Sequence, residues 1–160
     1  MKTAALVMMA MLGAPTAFAC QIRYSDAPPE RFYDLADVVF TAHLTKAEEK
    51  TLPPNKQHGA LTAIEGQVKI IEVFKGAPPA SGRVHDLVQN NFDICSSLLL
   101  PGNDYLFFLK LAPSKSNPTG EWNYVGFPTG SRIISPADSN VTQDMLRKLR
   151  AYAQNQPAKQ

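Results

Sequence analysis

Apolar and polar positions fall into two regimes along this chain. From Asp37 to Thr45, Val38, Phe40, Ala42 and Leu44 alternate with Val39, Thr41 and His43 in a β-rich stretch that predicts a first strand. Just before it, Glu30 to Ala36 reads as a short helix with Phe32 and Leu35 on one side. Lys50 to Gly59 holds Pro53-Pro54, Asn55 and almost nothing apolar, so it predicts an exposed hairpin loop. Ile64 to Ile70 alternates again, and Ile71, Val73 and Phe74 carry the strand to Lys75-Gly76, with Gly66 suggesting a bulge or bend. Arg83 to Gln89 is a third strand. Tyr105 to Leu111 is almost continuously apolar, as a strand buried on both faces should be. A fifth runs from about Trp122 to Phe127, breaks at Pro128 and Gly130, and resumes at Arg132 to Ile134. The period then changes: Asp138-Ser139-Asn140 offers caps, and Val141, Met145, Leu146, Leu149 and Tyr152 recur at helical spacing. Arg147, Lys148 and Arg150 fall in the last turns, where cations suit the carbonyl end of the dipole; they read as a solvated face, with membrane or anion binding the alternative. Gln154 to Gln160 reads as a frayed end.

The first nineteen residues differ from all this. Lys2, the apolar run from Ala4 to Leu12, the break at Gly13 and Pro15, and Ala17-Phe18-Ala19 match a signal peptide cleaved before Cys20. A run of about nine apolar residues is too short for a membrane span, which needs roughly 20. Cys20 also sits where a lipid-modified cysteine would, although Ala17 stands where such sites usually carry Leu. The expected address is therefore the periplasm or the exterior, without a transmembrane segment, and residues 20–153 form one domain. Both cysteines survive cleavage into an oxidising compartment. A Cys20–Cys95 disulfide is the simplest outcome and two free thiols the alternative.

The chain has 160 residues, with 16 Lys+Arg against 14 Asp+Glu, and cleavage removes one of the lysines. That balance gives no basis for binding nucleic acid. Nor is there an enzymatic signature. No G-x-S-x-G elbow occurs, His43, His58 and His85 have no partner at ligand spacing, and Asp37, Asp93 and Asp104 sit at element ends, where turn bonding is their expected duty. No cofactor or resident metal is expected. Trp122 and Tyr124 share one strand face, where they either pack the core or line a docking surface.

Five strands with a short leading helix and an appended amphipathic one predict a mainly β domain, a small OB-fold-like barrel in which closure removes exposed edges. Several segments carry a family likeness. Cys20 at the mature end, the helix before Ala36-Asp37-Val38-Val39-Phe40, Glu72-Val73-Phe74-Lys75-Gly76, Cys95, and Pro101-Gly102-Asn103-Asp104-Tyr105-Leu106-Phe107-Phe108 follow in that order. Over roughly residues 20 to 111 the chain resembles the netrin-like domain of tissue inhibitors of metalloproteinases (TIMP), in the reduced form of exported bacterial proteins. The resemblance implies an OB-fold scaffold that tethers its first residue by disulfide and presents it to a protease zinc. Cys20 would then chelate through its α-amino and carbonyl groups, Gln21 would probe the subsite, and Ile22 and Arg23 would flank it; an α-amino pKa of about 7.7–8.0 leaves part of that group neutral at pH 7. The pattern departs at Ile22, where the inhibitors have a further cysteine, so this ridge is less preorganised and binds more weakly. The reading that follows is an exported, monomeric, non-enzymatic module binding an envelope or extracellular protein. Its alternative is inhibition of a zinc metalloprotease.

Overall fold

The computed structural model describes residues 27–52, 61–88, 99–111, 124–126 and 130–156. In chain order these form α1 (Pro29–Leu35), β1 (Val38–Leu52), β2 (Leu61–Lys75), β3 (Arg83–Val88), β4 (Asp104–Leu111), β5 (Tyr124–Gly126), β6 (Arg132–Ile133) and α2 (Asn140–Gln154). The fold is mainly β: the six strands make one sheet, and two helices lie on it. β1 pairs antiparallel with β2 and, over Val38–His43, with β4. β2 pairs antiparallel with β3, and β4 with both β5 and β6. β3 meets β5 in parallel through one register pair, His85 with Val125.

Alternation along β1 and β4 separates two cores. Phe40, Ala42, Leu44, Tyr105, Phe107 and Leu109 pack with Val68, Val84 and Leu99 in the first. Val39, Leu106 and Phe108 face the other way and meet Phe32 and Tyr33 of α1 and Leu146 and Leu149 of α2 in the second. This explains the nearly unbroken apolar run in β4: helices cover the face that would otherwise meet water. Gly66 is required by packing. A Cβ there would lie 2.8 Å from Leu44 Cδ1 and 3.0 Å from Val84 Cγ2. The expected irregularity falls nearby instead, where Thr45 is left without a register partner; Ile71 and Phe74 are passed over in the same way on β2.

Four expectations are corrected here. Lys50 is not in a loop: it belongs to β1, opposite Ala63, and the chain between residues 53 and 60 lies outside the described residues. In α1 the partner of Phe32 in the core is Tyr33, and Leu35 is exposed. Tyr33 wins because its ring meets Tyr152 of α2 edge-on at 5.4 Å while its hydroxyl donates to the Phe74 carbonyl. In α2, Ser139 is the N-cap, accepting from the Thr142 amide, and Thr142 turns inward toward the Ile134 carbonyl. That orientation leaves the preceding residue, Val141, in water. The helix also continues through Gln154, so Arg147, Lys148 and Arg150 stand in its middle turns and not at its carbonyl end. Among the described residues no helix is long and apolar enough to cross a membrane.

The residues that carry the family likeness have structural duties. Lys75 Nζ donates to the carbonyls of Tyr33 (2.7 Å) and Ala36 (2.6 Å), closing the end of α1, and lies 5.0 Å from the Tyr33 ring centre. Gly76 follows at φ +65°, where a Cβ would approach the Asp37 carbonyl to 2.4 Å. The Pro101-Gly102-Asn103 turn is docked on β1 by two backbone bonds, Gly102 N–H to the Leu44 carbonyl and Leu44 N–H to the Asn103 carbonyl.

Candidate functional site

Three strands bring charged residues together at the base of the β1–β2 ribbon. Glu65 of β2 is 8% exposed and stands opposite His85 of β3, which is 2% exposed. One carboxylate oxygen accepts from Lys50 Nζ at 2.8 Å, with Arg83 Nε at 3.9 Å, and the other accepts from His85 Nε2 at 3.0 Å. Lys46, Glu48 and Gln67 complete a shallow pocket of about 180 Å³ above the carboxylate. Burial alone would raise the Glu65 carboxyl, but the hydrogen bonds from Lys50 and His85, with the charges of Lys50 and Arg83, hold it below its ordinary value. Burial lowers the His85 imidazole, and its bond to Glu65 offsets this only in part. A neutral ring facing an ionised carboxylate must carry its proton on Nε2. Nδ1 is then a bare acceptor, buried without a hydrogen-bond partner among the described residues. An imidazole so enclosed cannot serve a substrate in solution; the cluster clamps β1, β2 and β3 together.

His43 is the more accessible imidazole. Its Nδ1 lies 2.8 Å from Asp104 Oδ1 across the β1–β4 pair, which directs Nε2 away from the carboxylate. So two of the three histidines that look isolated in sequence do have carboxylate partners, both directly across a ladder. Of the carboxylates at element ends, Asp37 pairs with Lys110 of β4 at 2.9 Å and Asp104 bonds to His43 of β1, each reaching another element where the sequence suggested turn bonding. On α2, Arg147 and Lys148 both reach Asp144, while Arg150 grips Glu72 of β2 in a fork with both bonds at 2.7 Å. That fork lowers the Glu72 carboxyl. Among the described residues no three His, Cys, Asp or Glu side chains gather to hold a metal ion.

The second half of β2 presents a different surface. β3 pairs with β2 only over Thr62–Gln67, and beyond that the Val68 amide bonds to the Gly82 carbonyl. From Lys69 onward the outer edge of β2 has no ladder partner among the described residues. Ile70, Ile71 and Val73 are 39%, 59% and 46% exposed along it. Lys69 is exposed too, and Arg83 marks the point where β3 leaves the edge.

Cys20, Gln21, Ile22, Arg23, Cys95 and Trp122 lie outside the described residues, as do His58 and Asp93. Tyr124 is the first residue of β5, paired with Leu111. The Glu65 cluster and the β2 edge were not singled out from sequence. Register sets both, and the one local signal was the pair of apolar neighbours Ile70-Ile71 breaking the alternation. Neither a protein family nor a curated protein matches the chain.

Proposed function

We propose that the chain is an exported, non-enzymatic, monomeric protein-binding module on an OB-type barrel of the netrin-like kind. The succession of pairings β1–β2, β2–β3, β3–β5, β5–β4 and β4–β1 supports a barrel, with the Phe40–Phe107 core on the side such a ring encloses. The observation carrying the binding reading is the apolar edge of β2 beyond Arg83. Clustered aliphatic side chains beside unpaired backbone groups suit an extended segment of another protein, which gains ladder hydrogen bonds and buries its own apolar residues. Lys69 and Arg83 at one end favour a segment bearing carboxylates there. The irregularities at Ile71 and Phe74 increase the local twist, so the segment that fits is short.

A photo-crosslinking residue in place of Val73 should yield an adduct with another protein in the producing cell, whereas one in place of the exposed Val141 should not. Ile71→Asp should remove the Val73 adduct. Equal adducts at both positions, or none, would overturn the docking surface. The address is tested by intact mass without reductant: the chain should begin at an unmodified Cys20 and be two hydrogens lighter than after reduction. Retention of the leader, or two alkylatable thiols, would remove the export and disulfide components of the proposal.

A further inference from the structure

His85 occupies the joint on which β3 depends. It is the register partner of Glu65 on one side and of Val125 on the other, the latter being the register pair of the parallel β3–β5 pairing. β3 is six residues long. His85 sits within the six-residue register that pairs β3 with β2, and its ring is the most enclosed of the cluster.

We propose that protonation of His85 releases β3 from β2 and β5, so that the Glu65 cluster is an acid-sensitive latch. A second proton on the ring creates an Nδ1–H donor at a buried position that offers no acceptor among the described residues. It also adds a positive charge where one carboxylate already serves two cations. From β1 the charged groups facing the ring's surroundings are Lys50, with Lys46 and Glu48 at the pocket rim; from β2, Glu65; from β3, Arg83. Asp86, next along β3, alternates to the opposite face of the strand. β5 brings Val125 as the register partner, with Tyr124 and Gly126 as its neighbours.

The sign follows from burial. The ring in the folded protein is held below its ordinary value of 6.5, so an opened β3 binds a proton that the closed one refuses, and closure weakens as pH falls through 6.5. Glu65, held low, stays ionised over that interval.

Hydrogen exchange of the full chain tests this, compared at pH 7.5 and 5.5 after correction for intrinsic rates. Opening of residues 83–88 should rise about tenfold relative to residues 104–109, the change expected when one proton binds the open form alone. His85→Gln should abolish the rise and His43→Gln should keep it. Should His85→Gln not fold, imidazole NMR of the unaltered protein decides. The His85 ring should titrate below 6.5 together with the added exchange. A ring that titrates while exchange at 83–88 stays flat overturns the latch, as does a rise that survives in His85→Gln.

Discussion

Phe108→Ala should lower the free energy of unfolding by about 3–5 kcal/mol, the range for deleting a buried aromatic side chain. Phe108 is fully buried, its ring centre 5.7 Å from that of Phe32, in the core shared by α1, α2 and the sheet. Removing it leaves a cavity whose walls belong to three separate elements, and neither helix can collapse into it without abandoning other contacts. α1, with seven residues, has too little intrinsic helix stability to persist without that face. Urea unfolding followed by circular dichroism measures the loss. Val141→Ala, on α2 but in solvent, should change stability by less than about 0.5 kcal/mol, as exposed substitutions usually do. A Phe108→Ala loss as small as that would mean the helices do not depend on this core.

Glu65→Leu should cost about 2–4 kcal/mol at neutral pH, because it strips the acceptor from several donors at once. Lys50 and Arg83 can turn toward water, being partly exposed, but His85 cannot, and its Nε2–H would be left buried without a partner. Glu65→Gln restores an acceptor without the charge and should recover part of the loss. pH separates the charge from the packing. The folded carboxyl is held below its ordinary 4.5, so its contribution is complete above that value and disappears as pH falls through the lower, folded-state one. The deficit of Glu65→Gln should therefore shrink toward zero in strong acid. Unfolding free energies at pH 7 and pH 3 test this; a Glu65→Gln deficit unchanged between them would show that the charge is not what the site uses.

How far the sequence shows these features depends on whether their cause is local. Tyr105 to Leu111 declares a strand covered on both faces because the run itself is apolar, and Asp138-Ser139-Asn140 before a helical period declares a helix start, at which Ser139 proves to be the cap. Tyr33 and Leu35 compete within one short helix, and the outcome is set by Phe74 and Tyr152, far along the chain. Lys50, Glu65, Arg83 and His85 lie on three strands, and what unites them is register. A shift of one residue in β2 would send Glu65 into the first core and Gly66 toward His85. The histidines seem solitary in sequence because ladders join residues that are separated along the chain. The β2 edge is similar: Ile70, Ile71 and Val73 read only as the continuation of the second strand until the end of β3 at Arg83 shows that nothing described lies beside them.

The two helices also set the order in which the molecule can be completed. Tyr152 donates to the Asp34 carboxylate and stacks edge-on against Tyr33, a contact spanning 118 positions of chain. A polypeptide that emerges from a ribosome with its amino end first carries Tyr33 without its Tyr152 partner until α2 has been made. Contacts of such separation delay the final folding step.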